Sequence, residues 1–430
     1  MSDPADSLEC YLVGGAVRDL IMGFKVKDRD WVVIGATPDE MVDLGFKPVG
    51  KDFPVFLHPQ TKEEYALART ERKVARGYHG FEFHCDPGIT LEMDLSRRDL
   101  TMNAIAMDRN DKIFDPFNGQ CDIKRRTIRH VSDAFCEDPV RILRAARFAS
   151  RYTNFNVSDS TLKLMNTMVR QGEIDALVPE RIWQEMLAAM TEKKFSRFIE
   201  VLKDCEALEV ILPEVDALFG VPQTEKYHPE RDTGIHTMLS LDAAAKLSGD
   251  VKIMFAVLLH DLGKALTPKR ELPAHRGHEL RGLGPIKTVC ERLAVPKSYR
   301  KFALKVCEYH LHCHRAFQLK PKTVLKVIEA FDGFRNPDQF SDFLICCDAD
   351  KRGRTGHEND ERIQSGLFNQ YHQVALKVDQ GMIADTVLKS NASSENFGNK
   401  IKKEIRRKRI AAIEEIKKTF PRVQSNVHAC

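Results

Sequence analysis

LVGGAVRDLIMG, residues 12–23, and KDRDWVVIG, residues 27–35, are the two stretches that decide the fold. An apolar strand pattern ends at two glycines, and a helix pattern with Arg18 one turn in follows it. Backbone N–H groups stay free at a helix start, and glycine has no Cβ to keep a phosphate away. Because Arg18 can add a charge-assisted hydrogen bond to the same anion, the first stretch predicts a phosphate cradle.

In the second stretch, Asp28 and Asp30 are separated by one residue and lie at the start of the apolar strand pattern. Burying carboxylates there is costly unless a cation meets them. Residues i and i+2 of a strand point to the same side, with Cβ atoms roughly 6–7 Å apart, so the pair is predicted to hold one or two divalent ions. Either signal alone is commonly a tight turn or a solvated strand end. Their succession favours metal-assisted phosphoryl or nucleotidyl transfer.

The bulk properties of the chain set broad limits on its class. A length of 430 residues predicts about two to four domains. No apolar run of about eighteen residues and no cleavable leader pattern is found, which predicts neither a membrane span nor secretion. Eleven cysteines without a CxxC pair are typical of reduced thiols in a cytoplasmic protein. A net charge of +4 does not by itself indicate nucleic acid.

The first 130 residues or so mix strand and helix patterns, whereas the later residues are almost entirely helical. The strand patterns are CYLV (10–13), WVVIG (31–35), EYALART (64–70) and KIFDPF (112–117). The helix patterns are GAVRDLIMG (15–23), part of LEMDLSRRDLTMNAIA (91–106), DPVRILRAARFASRY (138–152), TLKLMNTMVRQGEI (161–174), PERIWQEMLAAM (179–190) and KIKKEIRRKRIAAIEEIKK (400–418). The predicted fold class is an α/β head followed by an all-α multi-domain body, mainly α overall.

Six stretches carry a resemblance to a known family. They are LVGGAVRDLIMG (12–23), KDRDWVVIG (27–35), DLSRRDLTMNAIAMD (94–108), DPFNGQCDIKRRTIRHV (115–131), EDPVRILRAARFASRY (137–152) and LVPERIWQE (177–185). In order and spacing, over about 180 residues, the chain resembles the class II family of tRNA nucleotidyltransferases and bacterial poly(A) polymerases. The resemblance implies that Asp28 and Asp30 bind catalytic Mg²⁺. It leaves the third carboxylate open, and Glu64 is a weak candidate for it. It also implies that the incoming nucleoside triphosphate is held by Gly15, Arg18, Arg98, Arg144 and Arg147.

The stretch EDPVRILRAARF suggests how a base is chosen. Pro139 after Asp138 predicts a helix start, and arginines recur at three- or four-residue steps along one broad face. In the resembled family the aspartate and arginine of an EDxxR motif, here Asp138 and Arg141, bond to the base edge. Cytosine and adenine each present an amino donor beside a ring-nitrogen acceptor, which matches a carboxylate beside a guanidinium. Uracil and guanine present the reverse pattern, so the resemblance implies addition of C, C and A to a tRNA 3′ end.

Residues 228–335 hold eight of the fifteen histidines. The adjacent His260 and Asp261 before LGK resemble the HD phosphohydrolase domain, whose metal ligands follow the order His, His-Asp, Asp. This resemblance implies a ligand set of His236, His260, Asp261 and Asp350, with His275, His278 and His310 as further ligands or phosphate contacts. Imidazole and carboxylate together suit Ni²⁺, Mn²⁺ or Co²⁺. The HD-bearing subgroup is a phosphatase and 2′,3′-cyclic phosphodiesterase, which implies a second activity here.

Four domains are predicted: a nucleotidyltransferase head at 8–133, a helical nucleotide-recognition and RNA-binding neck and body at 134–227, an HD domain at 228–335 and a helical tail at 336–430. Seven of the ten residues at 400–409 are basic. They indicate either a solvated amphipathic helix or a salt-sensitive contact to the tRNA backbone.

Three alternatives stay open from the sequence alone. The chain could be a poly(A) polymerase that uses ATP alone, a non-catalytic RNA-binding relative, or chiefly a hydrolase. The predicted partners are the tRNA 3′ end, CTP and ATP, with no membrane. The oligomeric state, a homodimer included, is left open.

Overall fold

The computed structural model describes residues 3–49, 55–73, 81–84, 86–390 and 397–419. The chain divides into two compact units. The N-terminal unit comprises Met1–Lys193 and Arg197–Ile211, and the C-terminal unit comprises Lys194–Ser196 and Leu212–Cys430. The predicted fold class is confirmed, since strands lie in the N-terminal unit and helices dominate the rest. The four-domain division stays a prediction.

The strands of the N-terminal unit form one mixed sheet and two small pairs. They are β1 Glu9–Val13, β2 Asp30–Ile34, β3 Lys47–Val49, β4 Val55–Leu57, β5 Glu64–Leu67, β6 Thr70–Lys73, β7 Phe81–His84, β8 Ala106–Met107, β9 Ile113–Phe114, β10 Thr127–Ile128 and β11 Asn156–Val157. The seven-stranded sheet has the order β3-β4-β5-β2-β1-β8-β9, and β6-β7 and β10-β11 are the separate pairs.

The helices of this unit alternate with the strands at first, and from α5 onward the unit is almost entirely helical. They are α1 Gly15–Ile21, α2 Pro38–Asp43, α3 Leu91–Ser96, α4 Gly119–Lys124, α5 Val140–Arg151, α6 Asp159–Arg170, α7 Pro179–Met190, α8 Ser196–Asp204 and α9 Ala207–Ile211. Those of the C-terminal unit are α10 Pro213–Asp216, α11 Thr233–Leu247, α12 Val251–Leu259, α13 His278–Arg281, α14 Leu283–Arg292, α15 Lys297–His314, α16 Pro321–Ala330, α17 Pro337–Arg352, α18 Ile363–Leu376, α19 Gln380–Ser390 and α20 Phe397–Thr419. Among the helices that the structure describes, none combines the length and apolar character of a membrane span.

The register of the central strands positions the aspartates. β1 runs antiparallel to β2, and Val13, which precedes the glycine pair, is the register partner of Asp30. β2 runs parallel to β5, and Asp30 is also the partner of Glu64. Val13, Val32 and Ala106 are buried in one apolar cluster beneath these strands, so the end of the sheet is fixed by its core.

Three strand predictions differ in extent from the structure. Asp28 precedes β2 instead of lying on it, so the two aspartates are not strand neighbours. The predicted strand at 64–70 is split after Leu67, because the chain leaves the large sheet and pairs β6 with β7. The predicted strand at 112–117 is reduced to β9, since the Asp115 carboxylate accepts the Gly119 N–H at 2.7 Å and starts α4. β11 lies in a region predicted to be helical.

The predicted helix starts and the basic tail helix are close to the observed ones. α5 begins at Val140, one residue after the predicted start, because the Asp138 carboxylate accepts the Val140 N–H at 3.0 Å. The predicted helix at 400–418 lies within α20. In this helix Arg406 pairs with Glu329 at 3.0 Å, and the Arg409 guanidinium lies 3.4 Å from the ring centre of Phe334. Part of the basic cluster therefore docks the helix, and the tRNA contact stays a prediction.

Candidate functional sites

A cavity of about 330 Å³, here called the head cavity, opens beside the glycine pair in the N-terminal unit. Asp30 and Asp99 are the carboxylates in its lining. Its guanidinium groups belong to Arg18, Arg97, Arg98, Arg141 and Arg144. Because arginines outnumber carboxylates, the cavity favours a polyanion such as a triphosphate.

The glycines allow two arginines to lie against the backbone. Gly14 has a φ of +68°, which favours glycine, and a Cβ there would come within 2.9 Å of Arg98 Nη1. A Cβ on Gly15 would lie 3.5 Å from Arg18 Nη2. Arg18 is buried and is fixed by Asp19 at 2.8 Å and by the Asn103 carboxamide oxygen at 2.6 Å. The predicted phosphate cradle is thus built mainly from guanidinium groups, with the glycines providing room for them.

Asp30 lines this cavity, and the side chains of both Asp28 and Asp30 are accessible to solvent. Partial burial raises the pKa of the Asp30 carboxyl. Arg98 lowers this pKa and the negative charge of Asp28 raises it. This influence on Asp30 indicates that the Asp28 carboxylate lies near it, although only Asp30 lies on the strand. Two like charges without a bound cation repel each other, which fits a divalent ion between them. Glu64, on the neighbouring strand β5, is exposed next to Asp30.

Buried carboxylates hold the arginines of the head cavity in position. Arg97 and Arg98 pair with Asp94 at 2.6 and 3.2 Å, and Arg144 pairs with Asp99 at 2.8 Å. Burial raises the pKa of Asp99, but Arg144 and the Asn103 amide outweigh it, so the pKa lies below its usual value. Burial also raises the pKa of the Asp94 carboxyl, but Arg97 and Arg98 outweigh it, so this pKa too lies below its usual value.

This depressed pKa predicts how stability depends on pH. Because the pKa of Asp99 is lower in the folded than in the unfolded chain, its pair stabilises the fold above the unfolded pKa. That contribution is lost as the pH falls through the folded pKa. We expect Asp99→Asn to cost about 2 kcal/mol at pH 7, since the partner Arg144 is partly exposed. The difference from the parent should shrink below about pH 4 in thermal unfolding followed by circular dichroism. An equal difference at both pH values would contradict this assignment.

A second cavity of about 410 Å³, the base cavity, is lined by Asp138 and Arg141 and shares Arg141 and Arg144 with the head cavity. Arg181 on α7 donates to both oxygens of Asp138, at 3.1 and 2.8 Å. Arg141 donates from Nη1 to the Ala134 carbonyl at 2.7 Å. Sequence reasoning missed the role of Arg181, although the stretch LVPERIWQE contains it.

Arg147 is placed differently from the other arginines of α5. Its guanidinium pairs with Glu185 at 2.7 Å and lies 4.0 Å from Glu192. The structure therefore gives Arg147 carboxylate partners on and just after α7, and its contact to a nucleotide stays a prediction.

A group of histidines and aspartates lies buried in the C-terminal unit. α11 packs against α17 and α12 against α15, which brings together side chains far apart in sequence. We call this group the histidine cluster, and its members are His236, His260, Asp261, His278, His310 and Asp350. The first predicted ligands meet here, since His236 Nε2 lies 3.1 Å from Asp350 Oδ1 and His260 Nε2 lies 3.2 Å from Asp261 Oδ2.

The electrostatics of the cluster fit a bound cation. Burial lowers the pKa of His260, but the carboxylates of Asp261 and Asp350 outweigh it and raise the pKa to about 8. Burial raises the pKa of Asp350, and the neighbouring His314 and His236 hold it well below its usual value. Buried carboxylates surrounded by imidazole nitrogens are the donor set that transition metals prefer.

The structure also shows side chains that the sequence did not single out. Glu230 Oε1 lies 2.9 Å from both His228 Nδ1 and His236 Nδ1, which would fix the orientation of His236. His314 Nε2 lies 2.6 Å from Asp350 Oδ2, and its i+4 spacing from His310 was the available signal. Lys264 Nζ lies 2.7 Å from Asp261 Oδ2.

One histidine considered as a further ligand is held elsewhere. The ring of His275 bonds to the Pro222 carbonyl at 3.0 Å and to the Thr267 hydroxyl at 2.8 Å. His275 thus lines the 560 Å³ cavity that opens onto the cluster, with both ring nitrogens engaged by other groups.

Comparison with known families agrees with these geometries. Residues 10–129 match the poly A polymerase head domain family, and residues 154–219 match a family described as the probable RNA and SrmB-binding site of polymerase A. The multifunctional CCA protein of Teredinibacter turnerae is 55% identical over 377 residues, covering 87% of this chain and 92% of that protein. The multifunctional CCA protein of Alkalilimnicola ehrlichii is 49% identical over 421 residues, covering 97% of this chain and all of the relative (100%).

Two solved structures share the fold. The Thermotoga maritima CCA-adding enzyme complexed with tRNA superimposes with a TM-score of 0.63 at 19% identity, covering 96% of this chain and 92% of that one. A CCA-adding enzyme in complex with CTP gives a TM-score of 0.63 at 21% identity, covering 96% and 91%.

Proposed function

The chain belongs to the family of multifunctional CCA proteins, and we propose that it adds C, C and A, without a template, to the 3′ end of tRNA from CTP and ATP. The observation that carries the proposal is the head cavity, in which the accessible carboxylate of Asp30 lies among five arginines. Asp28 and Asp30 would hold Mg²⁺, with Glu64 beside them. The ion would supply charge neutralisation where the tRNA hydroxyl attacks the α-phosphate and pyrophosphate leaves.

The residues of the head would bind and orient the triphosphate. Arg18 and Arg98 are both anchored by carboxylates, so they offer guanidinium N–H groups in fixed positions. Arg144, held by Asp99, lies where the head cavity and the base cavity meet. These contacts would place the α-phosphate near the carboxylate pair and accept the charge that develops on the pyrophosphate.

Base selection would rest on Asp138 and Arg141. The Asp138 carboxylate would accept from the amino group of cytosine or adenine, and Arg141 would donate to the ring nitrogen. Uracil and guanine present a carbonyl to the Asp138 carboxylate and an N–H to the Arg141 guanidinium. Both contacts are mismatched, and unpaired polar groups at a binding site discriminate strongly against such a base. Arg181 donates to both Asp138 oxygens, and Oδ1 also accepts the Val140 N–H, so Oδ2 is the oxygen that keeps a lone pair for the base. Arg181 would thus hold the carboxylate in a fixed orientation toward the base.

Arg181 therefore provides a testable positioning role. We expect Arg181→Gln to lower kcat/KM for CMP addition about 10-fold and to raise UMP incorporation relative to CMP, because Asp138 loses its fixed orientation. The control is Arg170→Gln. It removes an arginine–carboxylate pair of similar distance, between Arg170 and Glu206 on the surface. Competition assays with CTP and UTP measure the ratio. An unchanged ratio with a lowered melting temperature would reduce Arg181 to a structural role.

Nucleotide incorporation into tRNA that lacks CCA tests the main activity. With CTP and ATP together, we expect two CMP and one AMP per tRNA, and with ATP alone almost none. Long AMP tracts without CMP would identify a poly(A) polymerase instead. tRNA binding with no incorporation of either nucleotide would identify a non-catalytic RNA-binding relative.

A second activity is supported by the histidine cluster. The C-terminal unit would act as a metal-dependent phosphatase and 2′,3′-cyclic phosphodiesterase of the HD type, with His236, His260, Asp261 and Asp350 holding Ni²⁺, Mn²⁺ or Co²⁺. The cavity of 560 Å³ beside the cluster is lined by Lys264 and Arg354, whose charges suit a phosphate ester. Such a site would trim or repair damaged tRNA 3′ ends. Hydrolysis of bis(p-nitrophenyl) phosphate with each metal in turn tests it.

A further inference from the structure

We propose that Phe24 is a stacking platform for a base in the single-stranded 3′ end of tRNA. The proposal rests on the nucleotide addition inferred above. It assigns a contact to the accepting strand, whereas the residues of the head cavity and the base cavity would hold the incoming nucleotide. Three rings carry the proposal, here called the aromatic stack: Phe148, Tyr152 and Phe24.

The aromatic stack runs from the head cavity to the surface. The rings of Phe148 and Tyr152 are nearly parallel, at 2°, with centroids 6.2 Å apart, and those of Tyr152 and Phe24 follow at 18° and 6.4 Å. Parallel, offset rings at this spacing are a favoured arrangement. Phe148 lines the head cavity and is 4% exposed, whereas Phe24 is 44% exposed. The outer end of the stack is therefore a ring that packs along Tyr152 and is still accessible.

Hydrogen bonds fix the outer end of the stack. The Phe24 N–H donates to the Asp19 carbonyl at 2.8 Å, and the Tyr152 hydroxyl donates to the Asp19 carboxylate at 3.3 Å. Asp19 is buried and also pairs with Arg18 at 2.8 Å. Because one residue ties Phe24 to Tyr152, a base that stacks on Phe24 meets a surface that is already ordered. This order lowers the entropic cost of binding.

Cationic side chains lie beside the aromatic stack. Lys25 and Lys27 follow Phe24 and are exposed. The Arg151 guanidinium lies 5.4 Å from the centre of the Tyr152 ring, and 33% of this arginine side chain is exposed. Proteins that hold single-stranded nucleic acid combine cations, which contact the phosphates, with aromatic rings, on which the bases stack. The positive charge therefore favours RNA over an apolar protein surface as the partner.

Two carboxylates near the stack do not cancel this charge. Asp19 pairs with Arg151 at 3.4 Å, and Glu192 lies 4.0 Å from Arg147. Burial raises the pKa of the Glu192 carboxyl, and the charges that lower this pKa include Arg151, Arg147 and Lys27. Because each carboxylate has an arginine beside it, the two lysines keep positive charge for the phosphates of a bound strand.

The base of the incoming nucleotide is not the ligand of Phe24. That base is assigned to Asp138 and Arg141 at the start of α5, whereas Tyr152 follows the end of this helix. A helix of 12 residues is about 18 Å long, which is more than one base can bridge. The accepting RNA strand is the substrate left for the outer end of the stack.

The separation between Phe24 and the carboxylate pair suits the length of a single-stranded 3′ end. Asp28 follows Phe24 by four residues, so their Cα atoms are at most about 14 Å apart. A stacked strand rises about 3.4 Å per nucleotide, so no more than about four nucleotides cover this distance. A base near the terminus that stacks on Phe24 would thus present the terminal hydroxyl near Asp28 and Asp30.

Exposure alone does not single out Phe24. Leu20, one turn earlier on α1, is also 44% exposed, and isolated apolar side chains at a surface are ordinary. Phe24 differs because its ring continues the stack and has cations next to it. Leu20→Ala is therefore the matched control, since it removes an equally exposed apolar side chain that has no aromatic face.

The test uses tRNA that lacks CCA and carries the fluorescent base 2-aminopurine in its last nucleotide. Stacking of this base on an aromatic ring quenches its fluorescence, which is titrated with the full chain in the absence of CTP. We expect quenching by the parent protein, and about half of it or less with Phe24→Ala or Phe24→Leu. Phe24→Trp and Leu20→Ala should both quench like the parent.

Steady-state CMP addition gives a second readout. Stacking of one base contributes about tenfold or more to affinity, so Phe24→Ala should raise KM for tRNA about 10-fold. KM for CTP and kcat at saturating tRNA should stay within about twofold, because the incoming nucleotide does not touch Phe24. Phe24→Leu keeps apolar bulk but lacks the ring, so it should behave like Phe24→Ala.

The outcomes separate the platform from the proposed function. Parental quenching and KM for tRNA in Phe24→Ala, with CMP addition intact, would overturn the platform and leave nucleotide addition standing. A Phe24→Leu variant that behaves like the parent would show an apolar contact without stacking and would also overturn it. Quenching by a parent protein that adds no CMP would overturn the proposed function and leave the RNA contact. Should Phe24→Ala unfold by circular dichroism, Phe24→Leu decides by itself.

Discussion

Replacing Asp28 and Asp30 together with alanine is expected to abolish CMP incorporation while leaving tRNA binding nearly intact. Without the carboxylates, the α-phosphate and the attacking hydroxyl lose the ion that neutralises their charge. We expect a fall in kcat of at least about 1000-fold, which corresponds to about 4 kcal/mol of barrier. Binding should persist because a polyanionic tRNA gains nothing from two accessible carboxylates.

The measurement is single-turnover incorporation of labelled CMP, beside a tRNA binding titration at fixed salt. Asp39→Ala with Asp43→Ala is the matched control, since it removes two exposed carboxylates from α2 and the same net charge. The control should incorporate CMP at close to the parental rate. CMP incorporation by the Asp28/Asp30 variant within about 10-fold of the parent would contradict the role of the pair.

Replacing His260 with alanine is expected to remove the phosphohydrolase activity and to spare nucleotide addition. His260 Nε2 lies 3.2 Å from Asp261 and 4.0 Å from Asp350, so its loss takes a nitrogen donor from the histidine cluster. We expect hydrolysis of a 2′,3′-cyclic nucleotide to fall by at least about 100-fold at saturating Ni²⁺. CMP and AMP addition should stay within about twofold, because the residues proposed to contact the triphosphate lie in the N-terminal unit.

The control for this experiment is His357→Ala, which removes an exposed histidine paired with Asp360 in the same unit. Both activities should survive it. Because His260 is buried, His260→Gln serves as a second variant that preserves much of the side-chain volume. Parental hydrolysis by both His260 variants would rule out the cluster as the hydrolase site. Loss of CCA addition in a folded variant would contradict the expectation that nucleotide addition does not depend on the histidine cluster.

Most of the head could be predicted from patterns of residues that are close together in the sequence. Gly14, Gly15 and Arg18 lie within one turn of each other, so their sequence already describes the cradle. The helical body followed from apolar periodicity and helix boundaries. The sequence could not show that Asp28 leaves the strand, because the i and i+2 rule holds only if the strand extends that far.

Contacts across long separations could not be predicted in the same way. Arg181 and Asp138 are 43 residues apart, and their pairing depends on how α7 packs against α5. The histidine cluster likewise depends on how α11, α12, α13, α15 and α17 pack against one another, since its members lie on or next to these helices. His314 was within reach of the sequence, since its spacing from His310 places both on one face of α15.

The most direct test of the central claim is a crystal structure of the full chain soaked with CTP and Mg²⁺. We predict an ion between the carboxylates of Asp28 and Asp30, with the triphosphate against Arg18 and Arg98. The same structure should place the cytosine edge on Asp138 and Arg141. Carboxylates turned away from any ion, with the triphosphate bound outside the head cavity, would contradict the account.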